Sequence, residues 1–282
     1  MDLADAHLHL SDEAFVEDAD DVIHRAQDSG ISLLVNVTTT IDELDTSFRY
    51  AERFPDLRFC HVAGTPPQDA HTDIDAHFHY FQGFAQAGKL AAIGEVGLDY
   101  CFAEDSSAKE RQKEVLKKYL SLALDCALPL VVHCRGAFDD FFHMIDLYYH
   151  HDERSCPGML HCFTGTLHEA EELLSRGWYI SISGIVSFKN AGDLRSVVAQ
   201  IPLEHLLIET DAPFLAPTPY RGKRNEPAYI THTIKAIADL HGIDPQELAA
   251  IARKNVLRFL EGRKKGESIS DVLVKITSHN ST

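Results

Sequence analysis

What the 282-residue chain lacks narrows the field first. It has no apolar run long enough to span a bilayer, which argues against an integral membrane protein. Its opening residues, Met1-Asp2-Leu3-Ala4-Asp5, lack the basic and apolar regions of a signal peptide, so a cytoplasmic location is expected. None of its six cysteines (Cys60, Cys101, Cys126, Cys134, Cys156 and Cys162) forms a C-x-x-C pair. In a chain of this length without an export signal they read as reduced thiols rather than a disulfide framework, and Cys134 and Cys162 read as strand-end packing. Basic residues are also scarce: 26 Lys and Arg against 43 Asp and Glu give a net charge of -17. That balance opposes broad electrostatic binding of nucleic acid, while leaving room for a local phosphate site and for bound cations. No repeat, linker or low-complexity block divides the chain. A single domain over residues 1–262, a polar and basic tail over 263–282, and a monomeric state are the expectations.

What is present is an alternation of β-type runs and amphipathic segments. The β runs cover Leu3–Leu10, Ile31–Thr39, Leu57–Gly64, Leu90–Leu98, Pro129–Cys134, Met159–Phe163, Tyr179–Ser183 and His205–Thr210. They are short and rich in Val, Ile and Leu, as parallel strands covered on both faces are. Helical patterns fill the gaps at Asp12–Ser29, Ile41–Phe54, Ile74–Ala87, Ser106–Cys126, Phe138–Tyr149, Leu167–Arg176 and Asp193–Gln200. Two more, at Ala228–His241 and Pro245–Leu260, close the pattern, and a short amphipathic piece is expected at Val272–Ile276. Eight such units predict an α/β fold, a TIM-type (β/α)8 barrel.

The polar residues at the ends of these runs can carry chemistry. In Asp5-Ala6-His7-Leu8-His9, alternate side chains of a strand share one face, so His7 and His9 can grip one cation. A second H-x-H, His77-Phe78-His79, lies in a helical pattern where i and i+2 diverge, and reads as structural. Glu95 interrupts an apolar run, which is costly unless the carboxylate is paired or bound to metal. His133, His161 and Asp211 each end a run. All of these fall at the carboxyl ends of strands, the rim where barrel enzymes place their sites. Imidazoles mixed with carboxylates suit one or two transition-metal dications, with Glu95, which has two oxygens, as the natural bridge. Such a pair activates water and stabilises charge on a phosphoryl oxygen, and Asp211 is placed to take the proton. A basic stretch, Pro219-Tyr220-Arg221-Gly222-Lys223-Arg224, follows the last run in a region that often binds phosphate. Arg221, Lys223 and Arg224, with Arg135 beside His133, are the candidate substrate contacts.

Taken in order, these blocks resemble the TatD family of metal-dependent deoxyribonucleases within the amidohydrolase-like barrels. The resemblance is carried by DAHLHL at Asp5–Leu10, GEVGLDY at Gly94–Tyr100, HCR at His133–Arg135 and HCFTG at His161–Gly165. ISISGIVSFKNA at Ile180–Ala191, ETDAPFLAP at Glu209–Pro217 and PYRGKRNEPAY at Pro219–Tyr229 complete it. The resemblance runs from Asp5 to about Leu260. It implies that His7, His9, Glu95 and Asp211 hold one divalent ion (Mg2+, Mn2+ or Zn2+) and that Glu95, His133 and His161 hold a second. It implies hydrolysis of phosphodiester bonds in DNA from the 3′ end, and Asp211 and Glu95 stand as the candidate catalytic residues. Three positions, in two places, depart from the family pattern. Pro66 and Gln68 stand where many relatives carry histidines after the third strand, and Gly136 stands where an acid often follows the arginine of the fifth.

Two other readings use the same residues. One keeps the barrel but gives it a small amide, lactone or phosphoester as substrate. The other is a non-catalytic metal-binding scaffold, against which stand an intact ligand set and an acidic surface.

Overall fold

A computed structural model describes residues 2–72, 74–103 and 105–262 of the chain. The piece expected at Val272–Ile276, and the whole tail from residue 263, lie outside the described residues. The Val-, Ile- and Leu-rich runs become eight parallel strands because each is buried on both faces. They are β1 (Leu3–Leu8), β2 (Ile31–Thr38), β3 (Arg58–Ala63), β4 (Ala92–Asp99), β5 (Leu130–Arg135), β6 (Met159–Leu160), β7 (Tyr179–Ile182) and β8 (Leu206–Ile208). Every residue of β1 and β4 is buried. The strands lie in sequence order, β1 to β8, each paired in parallel with the next.

The ring closes between β8 and β1 just past the strand ends. There the Asp211 amide donates to the His7 carbonyl at 2.9 Å, and the His9 amide donates to the Ala212 carbonyl at 2.7 Å. The result is the (β/α)8 barrel expected from the alternation.

Around the ring run α1 (Ala19–Asp28), α2 (Ile41–Arg53), α3 (Asp75–Gln86), α4 (Ser106–Cys126), α5 (Phe138–Tyr148), α6 (Leu167–Ser175), α7 (Gly192–Val198) and α8 (Ile230–His241), with α9 (Pro245–Leu260) last. Their starts are set by local chemistry. Thr40 and Glu43 make a reciprocal capping box on α2, as Thr166 and Glu169 do on α6. Asp105 caps α4 through the Ala108 amide. None of these helices is long and apolar enough to cross a membrane.

Strand alternation divides the apolar side chains into two clusters. Leu34 of β2 joins the large layer between strands and helices. Leu33, Val35 and Val37 of the same strand point into the barrel with Val62, Val131 and Leu207. That inner cluster is closed by Val256 and Phe259 of α9. Asn255 anchors this helix across the amino-terminal end of the barrel, donating to the carbonyls of Leu203 and Leu206 at 2.7 and 2.8 Å.

Three elements differ from the sequence expectation. The helix expected from Asp12 begins instead with a 3-10 turn at Glu13–Phe15, capped by the Asp12 carboxylate on the Ala14 amide, and α1 starts only at Ala19. The sixth and eighth runs are shorter strands than their apolar patterns suggest. Soon after each strand comes a residue with positive φ, Cys162 at 47° beyond β6 and Asp211 at 57° beyond β8. Such backbone is uncommon for residues with a Cβ, and strained positions of this kind cluster at functional sites.

Candidate metal centre

The structure brings all six sequence-predicted ligands to the carboxyl-terminal rim of the barrel. His7 comes from β1 and His9 lies just beyond it, Glu95 from β4, His133 from β5, and His161 and Asp211 from the turns that follow β6 and β8. Their donor atoms fall into two sets. In the first, His7 Nε2 and His9 Nε2 are 3.1 Å apart. Glu95 Oε2 lies 3.7 and 3.5 Å from them, and Asp211 Oδ1 lies 3.6 and 3.7 Å from them. In the second, Glu95 Oε1 lies 3.2 Å from His133 Nδ1 and 3.0 Å from His161 Nε2, and these two nitrogens are 3.1 Å apart.

These spacings test whether the donors fit a metal. Donors about 2.0–2.1 Å from a tetrahedral cation lie roughly 3.3–3.4 Å from one another. The first set brackets that separation and the second falls slightly inside it. Ring nitrogens that face each other at 3.1 Å, with a carboxylate oxygen aimed at the same point, converge on a common centre rather than pairing off. Glu95 divides its two oxygens between the sets, so the residues present fit a divalent cation at each.

Close approach of β4 to β5 sets this geometry. Gly97 has φ of 150°, and a Cβ there would lie 1.8 Å from the His133 carbonyl oxygen. Only glycine lets the two strands meet there.

Burial and crowding perturb the protonation of every member. His7 is driven well below the usual imidazole range by burial, reinforced by His161 and His9. Burial would raise Glu95, but the surrounding His161, His133 and His9 hold its carboxyl well below the ordinary range. Burial pushes Asp211 up to about 7. His161 is raised well above its usual value because the Glu95 and Glu209 carboxylates outweigh burial. Deprotonated carboxylates and neutral imidazoles are the forms a metal binds, so a cation would replace the protons this cluster shares.

Sequence reasoning missed the carboxylates behind the ligands. Asp99 Oδ2 accepts from His133 Nε2 at 3.0 Å, which leaves Nδ1 free to face Glu95. Asp99 is fixed in turn by the Cys101 amide at 2.9 Å, and its backbone by Gln112. Glu209 Oε1 accepts the Cys162 amide at 2.6 Å and lies 3.7 Å from His161 Nδ1. Asp5, fully buried and pushed up to about 8 by burial, accepts from the Thr210 amide at 2.9 Å, from the Thr210 hydroxyl and from the His7 amide. It ties β1 to the residues leading into Asp211. The cost of an ionisable group in an apolar run, which singled out Glu95, would have flagged Asp99 and Glu209 as well.

Above the cluster opens a cavity of about 670 Å3, lined by His9, Glu95, His133, His161 and Asp211 together with Arg135, Phe102 and Phe214. Pro66 and Gln68 also line it, as do Asp12 and Glu43. Of the four candidate substrate contacts, only Arg135 is in this lining. Arg221 stacks over Phe188 at 4.4 Å, and Lys223 lies 5.8 Å from the Tyr220 ring. Arg224 makes two 2.7 Å bonds to the Asp18 carboxylate and a third to the Ala14 carbonyl. The broken first helix supplies that acid, and a charge run read along the sequence does not show it. Cys134 and Cys162 line the cavity too, and burial raises both thiols. His77 and His79 sit on α3, where His79 Nδ1 bonds the Asp75 carbonyl at 2.6 Å.

Comparison with known proteins agrees with this geometry. The model of the family described as TatD related DNase matches residues 4–261. An uncharacterized metal-dependent hydrolase of Bacillus subtilis, YabD, is 36% identical over 258 residues, which are 91% of this chain and 98% of the relative. A 3′-5′ ssDNA/RNA exonuclease TatD of Cronobacter sakazakii is 35% identical over 262 residues, 90% of this chain and 96% of the relative. The crystal structure of YjjV, a TatD homolog from Escherichia coli K12, superposes with a TM-score of 0.82 at 25% identity, covering 91% of this chain and 97% of that one. A match across nearly the whole barrel, with relatives above 30% identity over nine-tenths of the chain, places this protein in the family of TatD-related DNases, metal-dependent hydrolases built on a (β/α)8 barrel.

Proposed function

We propose that this enzyme hydrolyses phosphodiester bonds at the 3′ end of single-stranded DNA, using two divalent cations held at the barrel rim. The observation that carries the reading is the division of Glu95, with Oε2 facing His7 and His9 and Oε1 facing His133 and His161. His7, His9, Glu95 and Asp211 would hold one cation, and Glu95, His133 and His161 the other. Bound there, the cations would polarise a phosphoryl oxygen and make water a nucleophile at neutral pH. Magnesium prefers oxygen donors, so an imidazole-rich site takes zinc or manganese as readily.

The chain's own residues do the rest. Asp211 faces the cavity beside His9 and takes the proton released from the attacking water. Asp99 holds the His133 ring so that Nδ1 faces Glu95, and Asp5 holds the backbone that joins His7 to Thr210. Arg135, exposed at the cavity wall, holds a non-bridging phosphate oxygen of the substrate. The cavity is of the size that encloses a nucleotide rather than a length of duplex.

The test is an assay on end-labelled single-stranded DNA across magnesium, manganese and zinc, with elemental analysis of the same preparation. Stepwise shortening from the 3′ end is expected, abolished by a chelator and restored by the cation found in the protein. No cleavage with any of the three would overturn the reading.

A further inference from the structure

Five large apolar side chains are exposed among the described residues, and two of them, Phe102 and Phe214, line the cavity. Phe102 is 61% exposed and Phe214 51%. Phe102 is on the loop after β4 and Phe214 on the loop after β8. In a ring of eight strands in sequence order these loops stand on opposite sides of the barrel, so the rings flank the metal cluster from across the mouth. Neither loop is loose at its root. The Phe214 amide donates to the Asp211 carbonyl at 2.8 Å, its carbonyl accepts from Asn225 Nδ2 at 2.7 Å, and its ring lies 6.0 Å from the His9 ring. On the other side, the Cys101 amide bonds the Asp99 carboxylate and the Ala103 amide bonds the Asp99 carbonyl.

The charges of the cavity wall narrow what these rings can meet. Among the described residues Arg135 is its one Lys or Arg, set against the acids Asp12 and Glu43. One guanidinium and two acids give a polyanion little electrostatic hold beyond the scissile phosphate. A strand seated there needs uncharged contacts for its neighbouring nucleotides, and every unpaired base offers a flat π face, whatever its identity. A duplex keeps those faces buried in its own stack.

We propose that Phe102 and Phe214 form an aromatic clamp that stacks the two bases flanking the scissile phosphate of a single strand. The clamp rests on the phosphodiesterase reading above and adds to it the substrate feature recognised: unpaired bases at the cut, without sequence preference.

The experiment compares a single-stranded oligonucleotide with one of the same length lacking bases at the two nucleotides that flank the cut. The clamp predicts a KM about a hundredfold higher for the abasic strand, from two lost stacks worth about tenfold each. Phe102→Ala and Phe214→Ala should each raise KM for the normal strand about tenfold, leave kcat nearly unchanged and shrink the gap between the two strands. Phe102→Trp and Phe214→Trp should preserve the gap. Both rings are largely exposed, so the variants should fold as the parent does, and their circular dichroism checks this. A 2-aminopurine at the flanking position gives a readout without turnover: its fluorescence should be quenched on binding by the parent and less by the alanine variants. Equal KM for the two strands, or an undiminished gap in the alanine variants, would overturn the clamp while leaving the nuclease reading intact. Quenched binding without cleavage under any cation would overturn the nuclease reading, and with it the clamp's place at a cut, leaving the two rings as base contacts only.

Discussion

The two ends of the barrel are built on opposite principles. At the amino-terminal end the interior is apolar, filled by Leu33, Val35, Val62, Val131 and Leu207 and stoppered by Val256 and Phe259 of α9. At the carboxyl-terminal end the barrel brings two carboxylates and four imidazoles within a few ångströms, most of them buried. Burying ionisable groups together is costly unless something neutralises them. The apolar end therefore stabilises the fold, and the polar end draws on that stability to stay assembled before a cation arrives. Marginal net stability makes the two inseparable in energy although they are separate in space.

The sharpest way to break this contrast is at Glu95. Glu95→Gln should lower DNA hydrolysis by more than about 10³-fold, since several kcal/mol of transition-state stabilisation depend on the two cations proposed to share this carboxylate. Its metal-free thermal midpoint should stay level or rise. A variant that loses activity by unfolding instead would show that the rim holds the barrel together. At the opposite end, Phe259→Ala should cost about 3–5 kcal/mol in denaturant unfolding. The fraction that remains folded should keep kcat within a few fold, and a loss of metal from it would join the two ends.

A smaller effect separates the ligands from what lies behind them. Asp99→Asn should weaken cation binding roughly 10–100-fold by titration, because His133 loses the carboxylate that fixes its tautomer. Unchanged affinity would reduce Asp99 to a loop anchor. The smallest change is expected at Arg224, whose guanidinium is engaged by Asp18. Arg224→Ala should cost about 1 kcal/mol of stability and leave KM for single-stranded DNA unaltered. A tenfold rise in KM would restore the phosphate contact that the basic run suggested.

The barrel was readable because burial on both faces forces β-branched and aliphatic residues into every strand, and helical periodicity fills the spaces between. The ligands were readable for the opposite reason: polar residues such as Glu95 and His133 interrupt those runs where barrel sites occur. What stayed hidden depends on partners distant in sequence. Nothing in the run Pro219–Arg224 shows that Asp18 waits for one of its arginines, because that acid is presented only when the first helix breaks at Glu13–Phe15. The end of β6 is hidden because an apolar pattern carries no sign for φ, and the chain turns left-handed at Cys162, inside the expected run. Phe102 and Phe214 look like core residues until the fold leaves them in the open.

The hydrogen bonds that shut the ring, from Asp211 to His7 and from His9 to Ala212, join groups more than 200 positions apart in the chain. A nascent polypeptide carries His7 and His9 out of the ribosome first and can complete neither the ring nor the ligand set until Asp211 has followed. Assembly of the full ligand set is thereby tied to completion of the fold, because the same two bonds that close the barrel also fix His9 and Asp211 at its rim.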